Sequence, residues 1–283
     1  MAVCWSLDGY SVDTTHGVSV VHLKCGAPEG LDWFVRILRD SFPGCEVEMV
    51  SPPRRGGLLN LVSMADIQGR FAPSELGRLG DLLGLLEECL TMEDSLDESH
   101  ALGYHQEEDD LTSGLRRTGL GDLVYRAKYG SDTQARSQLV DLFGRFVSRH
   151  PRYGSAAAVA AVPPHSASGS RLSRHLAQGL AAACGMRLVP IRRARETVQQ
   201  KAITHEDRLA AVKQRVRNQK DSMAVEVALG GVSVVVVDEL YGSGASMEEA
   251  ARSLRQAGAG CVLGLAASKQ RLFGAVSWRR RGW

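Results

Sequence analysis

Val234–Ser246 reads Val-Val-Val-Val-Asp-Glu-Leu-Tyr-Gly-Ser-Gly-Ala-Ser, and its order decides the fold. The short β-branched apolar run over Gly231–Val237 predicts a strand buried on both faces, as in a parallel sheet. Two carboxylates, Asp238 and Glu239, follow it. Next comes a turn of small residues, Gly242-Ser243-Gly244-Ala245-Ser246, and then a helix predicted over Met247–Ala257 and closed by Gly258. Ligands of open parallel sheets lie outside the carboxyl ends of the strands, which is where this acidic pair emerges. Small residues let backbone N–H groups approach an anion, the serine hydroxyls add donors, and the helix start adds its dipole. Such a turn suits a phosphate, and the acidic pair suits hydroxyls or a hydrated cation. The plainer alternative is a strand-to-helix turn using glycine for geometry alone.

Two other phosphate loops are excluded. The chain has no GxxxxGK[ST]. Its glycines follow the carboxylates instead of following the strand directly, unlike the dinucleotide fingerprint GxGxxG.

Outward from this stretch, the second half alternates strand and helix. Helices are predicted over Leu120–Tyr129, Thr133–Ser148 and Arg171–Cys184, and strands over Ala156–Val162, Arg187–Ile191 and Cys261–Ala267. That alternation implies a parallel sheet with right-handed crossovers. Ala194–Asn218 is polar and weakly periodic. The first part reads as a separate α+β unit over 1–91. Its strands are predicted over 17–25, Cys45–Val50 and Leu58–Ser63, and its helices over Leu31–Leu38 and Pro73–Leu90, the latter capped near Ser74. Residues 92–110 are strongly acidic and read as a solvated linker. The remainder, 111–283, is the second domain.

Composition excludes other classes. The chain has 283 residues with 44% hydrophobic and 23% charged, and a net charge of +2. A sizeable core is expected, and no partner is implied by charge. No apolar run reaches the length of a membrane span, so no membrane partner is expected. The start lacks the pattern of a signal peptide. The six cysteines are scattered without a CxxC pair, which speaks against a zinc site and fits a cytoplasmic chain.

Val234–Ser246 resembles the phosphoribosyl pyrophosphate (PRPP) motif of type I phosphoribosyltransferases, in which two acidic residues precede a Thr-Thr-Gly-like turn. Glu239 replaces the commoner second Asp, and Gly242 stands where Thr is usual. Upstream, Leu123–Tyr129, Ala161-Val162-Pro163-Pro164-His165 and Arg195-Glu196-Thr197-Val198-Gln199-Gln200 with Arg208 are similar to segments of the ComF-like branch, in the same order. The resemblance spans Gly119–Ser268. The cysteine-rich zinc-binding segment common at the start of that branch is missing. Ser168-Gly169-Ser170-Arg171 stands where an Arg-Gly-Phe-Asn-like stretch is expected.

The resemblance implies a Rossmann-like parallel sheet flanked by helices that binds PRPP with Mg2+. Asp238 and Glu239 would be catalytic, holding the ribose hydroxyls and meeting the metal through water. Tyr241, Gly242, Ser243, Gly244, Ala245 and Ser246 would take the 5-phosphate. Pro164, His165, Ser166 and Arg171 would take pyrophosphate. Arg195, Thr197, Gln200 and Arg208 would form a closing hood. The implied reaction transfers ribose 5-phosphate to a small-molecule acceptor such as a nucleobase. The alternative is a non-catalytic PRPP- or nucleotide-binding protein with a sensing or nucleic-acid-related role. A homodimer is compatible with either.

Overall fold

The structure is a computed structural model that describes residues 3–15, 18–43, 48–56, 62–109, 114–165, 170–195 and 208–271. The chain forms two compact units. One comprises Cys4–Thr91 with Arg149–Arg152, the other Met92–Ser148 with Tyr153–Arg271.

The first unit runs β1 (Val3–Trp5), β2 (Leu7–Thr15), β3 (Val18–Cys25), α1 (Pro28–Ser41), β4 (Glu48–Gly56), β5 (Val62–Gly69) and α2 (Pro73–Glu88). Strands β2-β3-β5-β4 form an antiparallel sheet. Alternation along β3 buries Val21, Leu23 and Cys25. His22, one residue out of phase, sits between Asp66 and Asp13 at 2.8 and 3.2 Å. Leu31, Phe34 and Leu38 recur at helical spacing on α1 and are buried. Three readings shift. β2 was not expected. β4 and β5 continue past the predicted ends, to Gly56 and Gly69, and residues 45–47 and 58–61 of those predictions lie outside the described residues. The cap of α2 is Ala72, with Pro73 opening the helix and the Glu75 carboxylate accepting from Ala72 N–H at 2.8 Å, so Ser74 lies within the first turn.

The second unit begins with β6 (Leu90–Glu93), β7 (Glu98–Ala101), β8 (Gln106–Glu108) and β9 (Leu115–Arg117). It continues through α3 (Gly119–Tyr129), α4 (Thr133–Arg149), α5 (Pro151–Gly154), β10 (Ala158–Ala161), α6 (Leu172–Cys184), β11 (Arg187–Val189) and β12 (Arg192–Arg193). It ends with α7 (Arg208–Gln219), β13 (Met223–Ala224), β14 (Ser233–Tyr241), α8 (Ala245–Gln256) and β15 (Cys261–Lys269). The α/β class expected from the alternation is present. Strands β7-β15-β14-β10-β11 lie side by side, each parallel to the next. Helix α6 packs on β10, β14 and β11, and α8 packs on β14 and β15. Val234–Val237 are completely buried, as a strand with parallel neighbours on both sides requires. Part of the weakly periodic stretch before Asn218 forms α7.

From β10 the chain crosses through α6 to β11 on one side, and then places β14 and β15 on the other. The strand order therefore reverses between β10 and β14. A crevice opens at their carboxyl ends, at the topological switch point of the sheet.

The solvated-linker reading of 92–110 is corrected. Glu98–Ala101 is a fully buried strand paired with Leu263–Ala266. Three of the acidic residues there have specific partners. Glu98 meets His100 Nε2 at 2.7 Å, Asp97 accepts from Val262 N–H and Arg255, and Asp94 accepts from Leu96 N–H and the Tyr241 hydroxyl. Composition alone does not distinguish paired charge from solvated charge.

Gly260 joins α8 to β15 with no room for a side chain. A Cβ there would lie 2.2 Å from the Gly231 carbonyl oxygen. Gly260→Ala is therefore expected to destabilise the protein by about 1–3 kcal/mol, read as a lower urea midpoint. An unchanged midpoint would show that the two loops separate freely.

Candidate functional site

Strand β14 runs four residues beyond its predicted end, so Asp238 and Glu239 lie within the strand and not after it. Both sit at the switch point, and both carboxylates have partners. Asp238 Oδ1 accepts from Ser173 Oγ on α6 at 3.1 Å and from Glu239 N–H at 2.8 Å. Glu239 is ion-paired with Lys128 of α3 and accepts from Ser170 Oγ at 3.1 Å. The Asp238 side chain keeps some exposure, but dense protein around it excludes most solvent. That desolvation, reinforced by the neighbouring Glu239 charge, pushes its carboxyl up to about 7. Lys128 shows the opposite balance. Burial disfavours its charge, but the attraction and hydrogen bond of Glu239 outweigh this and raise its pKa. The pair is thus one protonatable and one salt-bridged carboxylate, a division produced by environment alone.

The turn after β14 is Gly242-Ser243-Gly244, and α8 begins at Ala245, two residues before its predicted start. Gly244 is its N-cap with φ +88°, and a Cβ there would fall 2.5 Å from the Tyr241 hydroxyl. Both the left-handed backbone and the tight approach demand glycine. Tyr241 lies beneath the turn, buried, with its hydroxyl donating to Asp94 Oδ2 at 2.8 Å. Its side chain supports the turn from below. From the neighbouring strand end, the buried Lys269 donates from Nζ to the Gly242 carbonyl at 2.9 Å. The leading N–H groups of α8 have no acceptor within the helix and open toward the crevice end of the sheet, and half-buried Ser243 and Ser246 flank them.

Across the switch point, β10 ends in Val162-Pro163-Pro164-His165. Arg193 on β12 holds this turn. Its guanidinium donates to the carbonyls of Pro163 (2.7 Å) and Pro164 (3.2 Å), to Gln219 Oε1 (2.9 Å) and to Ser222 Oγ (3.0 Å). Ser222 N–H in turn donates to the buried Glu249 carboxylate of α8 at 2.9 Å, and Arg252 closes on that carboxylate. The β10 turn is thereby tied, through Arg193, to the helix that the glycine turn opens. Gln219 Nε2 lies 3.4 Å from His165 Nδ1. Burial, with the charges of Arg193 and Lys128, lowers the His165 pKa, so its imidazole is neutral at pH 7.

The structure therefore brings together Asp238, Glu239, the glycine turn, Pro164 and His165. Arg171 stands exposed at the N-cap of α6, next to Ser170. Arg195 is turned elsewhere. Its guanidinium donates to the carbonyls of Asn218 and Lys220 at 2.9 and 2.6 Å, closing the C-terminus of α7. Ser166, Thr197 and Gln200 lie outside the described residues, and of Arg208 the structure describes the helical backbone only. Sequence reading assigned no site role to Lys128, Arg193 or Lys269. Lys269 was accessible to pattern, because it ends a strand that runs parallel to β14, with Tyr241 opposite it in register. Lys128 and Arg193 carry no local signature, since long-range folding alone sets their partners.

Among the described residues, no helix is long and apolar enough to cross a membrane. No protein-family model and no curated protein matches the chain. Among solved structures the chain is similar to one described as the allosteric regulatory enzyme of purine biosynthesis, at 16% identity and a TM-score of 0.33. The match covers 90% of this chain and 46% of that one, so the chain spans less than half of that protein's length. A likeness this weak says nothing about activity.

The raised Asp238 pKa has a consequence for stability. Between its ordinary value of 3.8 and about 7, the unfolded chain ionises Asp238 while the folded chain keeps it protonated. This group's contribution to stability is therefore lost as pH rises through that window. Asp238→Asn cannot ionise, so its stability relative to wild type is expected to grow by about 1–3 kcal/mol across the window. Urea unfolding of both proteins at several pH values checks this, and parallel pH profiles would refute it.

Proposed function

We propose that the chain binds PRPP and transfers ribose 5-phosphate to a small nucleophile such as a nucleobase, as a type I phosphoribosyltransferase similar to the ComF-like branch. One observation carries the reading. A glycine turn with Gly244 at φ +88° opens α8 on the same strand as Asp238 and Glu239, at the switch point of a parallel sheet. Phosphate and sugar hydroxyls are the ligand groups that such a juxtaposition suits together.

In this reading the N–H groups of the turn and of the first α8 residues hold the 5-phosphate, with Lys269 adding positive charge below. Asp238 and Glu239 face the ribose hydroxyls. The two carboxylates are hard oxygen donors that fit the hydration shell of Mg2+. Bound with PRPP, that ion would neutralise pyrophosphate charge as it leaves. The C1–O bond to pyrophosphate breaks, the acceptor's lone pair forms the new bond to C1, and the acceptor's proton is released. The carboxylate charge of Glu239 lies on the side where C1 becomes electron-poor. The turn Pro164–His165, with Ser166 and Arg171, receives the pyrophosphate. Neutral His165 serves there as a hydrogen-bonding group and not as a cation.

A second reading, a PRPP- or nucleotide-binding sensor without turnover, is favoured by a different observation. Both carboxylates are already engaged, Glu239 by Lys128 and Ser170, Asp238 by Ser173 and a backbone N–H.

Calorimetric titration with PRPP and Mg2+, followed by pyrophosphate release with a panel of acceptors, separates the readings. Binding with release supports the transferase, and binding without release for every acceptor supports the sensor. Binding is expected to weaken about tenfold or more in Gly244→Ala, and similarly in Asp238→Asn combined with Glu239→Gln. Absence of binding by the wild-type protein would dismiss both readings.

A further inference from the structure

A cavity of about 340 Å³ opens between α3, α4 and α6, beside the acidic pair. Its walls include Lys128, Arg136, Ser170, Arg171, Arg174 and His175, and among the described residues no carboxylate lines it. Its volume is that of a compact ligand site.

The arginines there are not neutralised in the way other arginines of this unit are. Arg126 is paired with Asp132 at 3.0 Å, Arg252 with Glu249 at 2.7 Å, and Arg255 with Asp97 at 3.0 Å. Among the described residues, Arg136, Arg171 and Arg174 have no ion pair. Arg136 is oriented by donating from Nε to the Ala127 carbonyl at 3.0 Å. Like charges gathered around one concavity repel each other, and an anion relieves that repulsion. The cations converge on a cavity and do not form an open stripe, so a compact polyanion fits better than the extended backbone of a nucleic acid. Three arginines without an ion pair call for a multiply charged partner, and the arginine forks match phosphate oxygens in pairs.

We propose that this cavity binds the phosphate chain of a triphosphate, either free tripolyphosphate or the chain of a nucleoside triphosphate. The site shares Arg171 with the pyrophosphate position of the preceding reading but extends beyond it, because Arg136, Arg174 and His175 have no part in that position. It adjoins the acidic pair through Lys128, whose ammonium both lines the cavity and holds Glu239. The proposal deepens the PRPP reading by giving that centre a second anion beside it, yet its geometry stands without that reading.

The test is calorimetric titration of inorganic tripolyphosphate into the wild-type chain, Arg174→Glu, Arg136→Gln and the control Arg217→Glu. Arg217 is exposed on α7 and carries the same charge change away from the cavity. Tripolyphosphate affinity is expected to fall about tenfold or more in Arg174→Glu, and measurably in Arg136→Gln, while Arg217→Glu stays within about twofold of wild type. No binding by the wild type, or equal losses in Arg174→Glu and Arg217→Glu, overturns the proposal. A parallel titration with ATP names the source within a supported outcome: tighter binding of ATP points to a nucleotide, tighter binding of tripolyphosphate to a free chain. Ribose 5-phosphate, titrated alongside, separates the two readings. Its failure to bind while tripolyphosphate binding still depends on Arg174 would remove the PRPP reading and leave the cavity assignment standing.

Discussion

The complete burial of Val234–Val237 between two parallel neighbours is the constraint on which the second unit depends. A strand with no solvated face has to be covered on both sides, and α6 and α8 pack on β14. Its backbone groups need partners on both edges, which β10 and β15 supply in register. Once that strand is fixed, the polar residues at its carboxyl end have little freedom. Asp238 and Glu239 meet the start of α6 and the end of α3, and the chain has to turn at once into α8.

The consequences reach the chemistry through burial. Two adjacent carboxylates placed in the same mouth acquire different characters, because one gains a lysine and the other gains only neutral donors. Desolvation without a dedicated cation holds Asp238 protonated toward neutrality, while Glu239 is paired with Lys128. The turn beyond them depends on packing as well. Gly244 has room for its backbone only because it lacks a Cβ, and Tyr241 fills the space below it. On the other side of the crevice a single guanidinium, Arg193, satisfies the two proline carbonyls that no strand partner reaches. These contacts make the mouth of the sheet a polar frame whose parts come from both its strands and its covering helices.

Much of this was legible in the order of residues. The β-branched run, the acidic pair, the glycines and the following amphipathic helix are local signals, and local physics sets them: strand burial, backbone permissiveness at positive φ, and helix periodicity. The boundaries were less legible. β14 extends through Tyr241 because β15 continues to offer hydrogen bonds as far as Lys269, a fact about a neighbour and not about the segment itself. The acidic stretch around Glu98 reads as solvated because composition registers charge but not its partners. In the folded chain Asp94, Asp97 and Glu98 each meet a donor distant in sequence or two residues away.

The sequence by itself determined the α/β class, the existence of a glycine turn opening a helix, and the presence of two carboxylates just ahead of it, since each depends on residues adjacent in the chain. Only the tertiary structure decided that Lys128 neutralises Glu239, that Arg193 braces the turn after β10, that Arg195 caps α7, and that unpaired arginines surround a cavity beside the acidic pair. The physical reason is sequence separation. Lys128 and Glu239 stand 111 residues apart, and Arg193 and Pro163 stand 30 apart. Electrostatic partners at such distances are selected by how helices pack on the sheet, and the local sequence pattern carries no record of that packing.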